Sequence, residues 1–190
     1  MKLNLGCGQN KKEGYVNVDK FSECNPDVLW DLEVFPWPFE TSSVNDIELV
    51  HVLEHIGQSV DVFLGFMKEL YRVSAPNARI LIKVPHPRSD SFISDPTHVR
   101  PINIKVMSLF SKEINKLWKT MEAANTPLGL YLDIDMEIGG VEYALTPRWL
   151  KRYKDGALTQ DQLQEALDTY LNVCNEIIIT MKVIKNVKTS

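Results

Sequence analysis

The sequence predicts an α/β fold, a doubly wound and mostly parallel sheet, on three observations. Short apolar runs of strand length, Leu3-Asn4-Leu5, Val16-Asn17-Val18, Ile47 to Val50 and Ile80 to Val84, recur through the first half of the chain. Between the last two lies a stretch of helical periodicity, with Val60, Phe63, Phe66, Met67, Leu70 and Val73 on one face, and strands alternating with helices build parallel sheets. The first strand runs straight into Gly6-Cys7-Gly8, and the second closes on Asp19. A strand, a Gly-x-Gly loop and an acid ending the next strand suggest a nucleotide or nucleoside site, the alternative being a Gly-rich turn between two core strands. Glycines let backbone amides approach an anionic group closely, and a carboxylate one strand away can accept from both hydroxyls of a ribose.

Taken in order, the first strand is Lys2 to Leu5. Between Asn10 and Tyr15 there is too little chain for the usual crossover helix, since a whole parallel crossover takes at least about 10–12 residues, so a turn is expected there. A dinucleotide fingerprint is disfavoured: its third glycine would stand where this chain has Lys11. Its acid would also lie about 20 residues on, against thirteen here from Gly6 to Asp19. Val28 to Trp30 is the third strand, followed by Asp31-Leu32 and a turn through Pro36 and Pro38. Ile47 to Val50 reads as a fourth strand, buried on both faces as parallel strands are. The helix from Val60 to Val73 should stop near Ala75-Pro76, and Ile80 to Val84 forms a fifth strand ended by Pro85. From Pro85 to Pro101 no periodicity holds, and the segment carries His86, Arg88, Asp90, Asp95, His98 and Arg100. A long loop leaving the carboxyl end of a strand is where open α/β sheets bind ligands, so this is read as the substrate-side loop.

In the last third, Ile104, Met107, Ile114, Leu117 and Met121 suggest one or two helices reaching Asn125. Leu130, Leu132, Ile134, Met136 and Ile138 alternate with more polar residues, as do Val141, Tyr143 and Leu145 after Gly139-Gly140, which predicts a hairpin turning on the two glycines. Thr146-Pro147 opens a short helix, and Thr159 to Gln162 is a capping box for another ending near Asn172. Glu176 to Ile184 is the final strand.

The ordered series Leu3-Asn-Leu-Gly-Cys-Gly, Gly14-Tyr-Val-Asn-Val-Asp19, Trp30-Asp-Leu32, Pro36-Trp-Pro-Phe39, Asn45 to His55, Glu69-Leu-Tyr-Arg-Val73 and Ile80 to Pro85 resembles the small class I S-adenosylmethionine-dependent methyltransferases of type 11-like sequence. The resemblance covers about residues 1–110. It implies a Rossmann-like sheet of about seven strands whose last strand runs antiparallel, and one domain over 1–190. Residues 1–110 would form the cofactor core and substrate loop, and 111–190 a helical insertion, hairpin and terminal strand. It also implies S-adenosyl-L-methionine as cofactor, with Gly6, Cys7 and Gly8 at the amino-acid end, Asp19 on the ribose, Asp31 and Leu32 at the adenine, and His51 beside the methionine part. The chain departs from the pattern at its shortened first crossover and at Asn10, where a third glycine is usual.

Composition bounds the rest. At 190 residues, 44% hydrophobic and 24% charged, the chain is of ordinary globular make-up, and a net charge of -4 with no basic run gives no general attraction to nucleic acid. No apolar stretch approaches the ~20 residues of a membrane span and no apolar signal segment follows Met1, so a cytoplasmic protein without a membrane partner is expected. Three cysteines without CxxC spacing argue against a disulfide framework or a cysteine zinc site.

For methyl transfer, holding nucleophile, methyl carbon and sulfur in line supplies much of the rate, and an oxygen or nitrogen nucleophile often needs a general base. His98, His86 and Asp95 are the candidates, with Arg88 and Arg100 available for an acidic substrate group. His51-Val-Leu-Glu-His55 also matches the inverted zinc-protease pattern, but that needs both histidines on one helix face, whereas the run before His51 makes a strand end. Methyltransferases of this class that hold a divalent ion here use a Glu-x-x-Glu-His pattern, from which the chain departs at His51. No metal is therefore expected, and Glu54 and His55 are read as pocket wall or helix caps. The expected activity is transfer of a methyl group to an oxygen or nitrogen of a small molecule or metabolite. The alternative is a non-catalytic S-adenosylmethionine-fold binding or partner protein. The acceptor and the oligomeric state are not legible.

Overall fold

The computed structural model describes residues 1–185, so 186–190 of the expected domain lie outside the described residues. Seven strands form one sheet: β1 (Lys2–Leu5), β2 (Val16–Asp19), β3 (Val28–Leu29), β4 (Val44–Val50), β5 (Ser74–Pro85), β6 (Met136–Leu145) and β7 (Cys174–Val183). Their order is β3-β2-β1-β4-β5-β7-β6, parallel through β5, with β7 antiparallel to both its neighbours. The sheet is thus mostly parallel, Rossmann-like and doubly wound, with the antiparallel last strand that was expected. β1 leaves the sheet and returns as β2 without a helix between them.

Alternation explains the core. Leu3 and Leu5 pair with Ile47 and Leu49, these with Ile80 and Ile82, and these with Met181 and Ile179; all eight side chains are fully buried. Over them packs α1 (Val60–Val73), whose Phe66, Met67 and Leu70 are buried and whose N-cap Ser59 accepts from the Val62 amide. On the opposite face of the same strands stand Asn4, Asn17, Asp46, Glu48 and Arg79. That face, left without a first crossover helix, is closed by hydrogen bonds: Asn4 Nδ2 donates to Asn17 Oδ1 at 2.9 Å, and Arg79 reaches Asp46 and Glu48, each at 2.9 Å. Lys12 and Tyr15 of the short connection join this layer at Glu48 and Asp46.

The remaining helices are α2 (Asp90–Ile93), α3 (Ile104–Ser108), α4 (Lys112–Thr120), α5 (Leu128–Leu132), α6 (Pro147–Lys154) and α7 (Gln160–Thr169). Among the described residues no helix is long and apolar enough to cross a membrane. The capping box of α7 forms as its sequence predicts: Thr159 Oγ1 accepts from the Gln162 amide at 3.2 Å, and Gln162 Oε1 accepts from the Thr159 amide at 2.9 Å. Thr159→Ala should lower stability by about 1 kcal/mol, the usual worth of an N-cap, read as a shift of the denaturant midpoint; an unchanged midpoint would mean that α7 does not melt with the rest.

The expected hairpin is corrected. Leu130 and Leu132 lie in α5, and β6 runs through Gly139-Gly140 without turning. The two glycines sit at a register shift, a bulge between Ile138 and Gly140, because β7 offers a partner along the whole length of β6. Likewise β5 starts directly after α1, so Pro76 lies inside it, at the register shift opposite Val44/Asp46, rather than in a separating loop.

Candidate functional site

The carboxyl ends of β1, β2, β3 and β4 converge on a cavity of about 570 Å³, within the ~300–1,000 Å³ of small-molecule sites. It is lined by Gly6 and Gly8 after β1, Asp19 to Phe21 after β2, Trp30 to Glu33 after β3, and His51, Val52, His55, Ile56, Gln58 and Thr97. It therefore opens where strand order reverses between β1 and β4, the position open α/β sheets use for ligands. A second cavity of about 470 Å³, between α3 and α4, is lined by Asn103, Lys105, Val106, Leu109, Trp118 and Asn125 and holds neither a glycine loop nor an acid.

The glycine loop is built around the acid. Asp19 is buried, and its Oδ2 accepts from the Gly8 amide at 2.8 Å while its Oδ1 accepts from the Phe21 amide at 3.0 Å. Each oxygen keeps a lone pair for a further donor. Gly6 is required twice over: its φ is +65°, and a Cβ there would stand 2.5 Å from Val52 Cγ2. Asp31 Oδ1 accepts from the Glu33 amide at 3.0 Å, and Glu33 Oε1 accepts from the Gly57 amide at 2.7 Å, which ties this wall to the loop before α1. Of the seven residues expected at a cofactor, only Cys7 does not line the cavity; its side chain is buried in the core, and burial, then Asp19, hold its thiol above the ordinary range.

His51 ends β4 in a left-handed conformation, φ +56°. Its Nδ1 is 3.4 Å from Glu54 Oε1, and its Nε2 is 2.8 Å from Glu176 Oε1, which Lys83 also approaches through Oε2 at 2.9 Å. Glu54 and then Glu176 raise the imidazole above its ordinary pKa, against burial.

The substrate-side loop is more ordered than its sequence suggests. Arg88 donates to the carbonyls of Asp168 and Thr169, each at 2.6 Å, closing the carboxyl end of α7. Arg100 lies 4.2 Å over the Phe63 ring and donates to the Gly57 carbonyl. None of the three proposed bases lines the cavity, and they part company. His86 packs beside Tyr143 at the end of β5 and does not line the cavity; burial, then Arg88, lower its pKa. Asp95 accepts from the Thr97 amide and hydroxyl, at 2.8 and 2.6 Å, and is held below the ordinary carboxylate range by them. His98 is stacked on Phe92, edge-on to His55, and its Nδ1 meets the Phe92 carbonyl at 2.8 Å. His55 and Thr97, given no chemical role from sequence, bring this cluster to the cavity wall. Exposed Phe21 and half-buried Trp30 also line the cavity and were not anticipated; nothing local distinguishes them from other surface aromatics.

The chain matches no family model, and no curated protein matches it in sequence. Its fold is shared with solved structures. A SAM dependent methyltransferase from Archaeoglobus fulgidus superposes with a TM-score of 0.59 at 18% identity, over 95% of this chain and 85% of that one. The YcgJ protein from Bacillus subtilis gives 0.53 at 16%, over 98% and 92%. A chain of the complex between the Haloferax volcanii Trm112 methyltransferase activator and a putative methyltransferase gives 0.54 at 9%, over 97% and 82%. At these identities the likeness is one of fold: this chain has the class I-like Rossmann fold of the S-adenosylmethionine-dependent methyltransferases.

Proposed function

We propose that the cavity binds S-adenosyl-L-methionine and that the chain, read as one domain over 1–190, transfers its methyl group to an oxygen or nitrogen of a small molecule. The observation that carries this is the Gly8 amide bonded to Asp19 at the mouth of β1 and β2, with Asp31 and His51 on the same cavity. Asp19 would take the ribose hydroxyls, Gly6 to Gly8 the amino-acid end, Asp31-Leu32 the adenine. His51, whose two ring nitrogens face Glu54 and Glu176, would flank the methionine part with its ring. Catalysis would rest mainly on orientation. A base, where the acceptor needs one, would come from the cluster of His98 and Asp95, which lies behind the cavity wall formed by Thr97 and His55, rather than from His86.

The second reading, a non-catalytic binding or partner protein, is favoured by one observation: Arg88, Asp95 and His98 already spend hydrogen bonds on the protein's own backbone. Both readings require the cofactor. At a hundredfold excess over its Kd, S-adenosylmethionine should stabilise the fold by about 2.7 kcal/mol and raise the melting temperature by several degrees, as should its demethylated product. NADH should not. A melting curve unmoved by either sulfur nucleoside would end the assignment; stabilisation without turnover across an acceptor panel would favour the second reading.

A further inference from the structure

We propose that Glu54, His55 and His98 form a binding site for a first-row divalent transition metal ion, with zinc the best-suited occupant. One donor atom from each lies within 4.8 Å of the other two. The site goes beyond methyl transfer and does not depend on it.

The strongest observation is Glu54. It is completely buried, and among the described residues neither carboxylate oxygen has a hydrogen-bond partner. Its nearest cationic neighbour, His51 Nδ1, stands 3.4 Å from Oε1 in ion-pair range. A buried carboxylate without hydrogen bonds is expensive and is ordinarily paired or bound to a metal. The chain nonetheless holds this one in place. The 310 turn Leu53–His55 carries it, and its backbone carbonyl accepts from the amides of Val99 and Arg100, which pins the segment bearing His98 against the turn bearing Glu54 and His55.

The histidines are arranged as metal ligands are. His98 Nδ1 faces the Phe92 carbonyl at 2.8 Å, which can only accept, so Nδ1 carries the proton and Nε2 the lone pair. His55 Nδ1 faces the Thr97 carbonyl at 3.3 Å and the Thr97 hydroxyl oxygen at 3.0 Å. That hydroxyl gives its own proton to Asp95 Oδ1 at 2.6 Å, so it accepts from His55, whose Nε2 is likewise left unprotonated. A ring N–H fixed on a carbonyl or a carboxylate-linked oxygen is the outer shell that orients metal-bound histidines. Asp95 Oδ2, 3.7 Å from His98 Nε2, completes the charged surroundings.

Two imidazoles and one carboxylate suit zinc and its neighbours, whereas magnesium prefers an all-oxygen shell. Drawing the donors to 2.0–2.2 Å from an ion would move each by about an ångström, within reach of side-chain rotation. His55 and Thr97 line the cavity, so the ion's open positions would face it. Such a site would run against the expectation of no metal drawn from His51 and His55, because His98 joins His55 only in the folded chain.

The test uses full-length protein stripped with chelator and dialysed, titrated calorimetrically with ZnCl2, with CoCl2 as a visible-absorbance probe. One equivalent of zinc should bind, and cobalt should give ligand-field bands of a low-symmetry site. His55→Ala and His98→Ala should each weaken zinc at least 100-fold, while His86→Ala should not. Glu54→Gln should do the same, and circular dichroism checks that it folds; if it does not, the two histidine variants decide. Absence of equimolar zinc binding to the folded parent, or binding unchanged in both histidine variants, overturns the site. Melting curves with S-adenosylmethionine are recorded on the same samples, so a failed cofactor assignment is distinguished from a failed metal site.

Discussion

Asp19→Ala should bind S-adenosylmethionine about 10- to 150-fold more weakly, the equivalent of about 1.5–3 kcal/mol for hydrogen bonds to a charged group. Two losses combine in that figure. The carboxylate that would accept from the ribose disappears, and the Gly8 and Phe21 amides it holds at 2.8 and 3.0 Å are released, so the loop that would meet the cofactor's amino-acid end loses its anchor. Asp19→Asn separates them. Its remaining carbonyl oxygen can hold one amide, so the loop should stay near its place while the charge is gone, and affinity should fall between parent and alanine variant. Isothermal titration calorimetry reads all three proteins. Parental affinity in Asp19→Ala would remove the ribose role; an asparagine variant as weak as the alanine one would show that charge, not loop anchoring, dominates.

Glu69→Ala should lower stability by about 2–4 kcal/mol. Glu69 takes both a paired hydrogen bond from Arg72, at 2.7 and 2.8 Å, and the Trp37 amide at 2.7 Å. Arg72 in turn donates to the carbonyls of Trp37 and Phe39, so the two side chains fasten the proline-rich turn to α1. Removing one member of a buried pair costs about 3–5 kcal/mol; the Arg72 side chain is 28% exposed, so water recovers part of that. The pH dependence has a fixed sign. Burial works to raise the Glu69 pKa, but Arg72 and Trp37 outweigh it and the net shift is downward. A depressed carboxylate stabilises fully above its unfolded pKa of about 4.3 and loses that contribution as pH falls through the folded value. Denaturant curves of parent and variant should therefore differ most at neutral pH and converge in acid. A gap independent of pH would mean that the turn is held by packing of Trp37 on Phe66 instead.

Much of this was legible in the sequence because it is decided by near neighbours. Gly6 announces a left-handed turn, Thr159 and Gln162 a cap, and the alternation of Leu3 and Leu5 a strand facing a core. The absence of a helix between β1 and β2 followed from chain length alone; Gly6, Gly8 and Asp19 stood out by the loop pattern, and Asp31 and His51 only by the resemblance, and all five line one cavity because strand ends in one parallel sheet gather at one edge.

What only the tertiary structure decided depends on partners distant in the chain. The same alternation around Gly139-Gly140 fits a hairpin or one strand, and β7, some forty residues on, chose the strand by pairing along all of it. His86 and His98 look alike as loop histidines, yet the backbone pairing of His86 with Asn175 holds it toward Tyr143, while the Glu54 carbonyl draws residues 99 and 100, and His98 with them, against Glu54 and His55. A sequence states which chemical groups a chain owns and how each short segment bends. Which groups meet is set by long-range hydrogen bonds and burial, whose energies exist only once the chain has closed on itself.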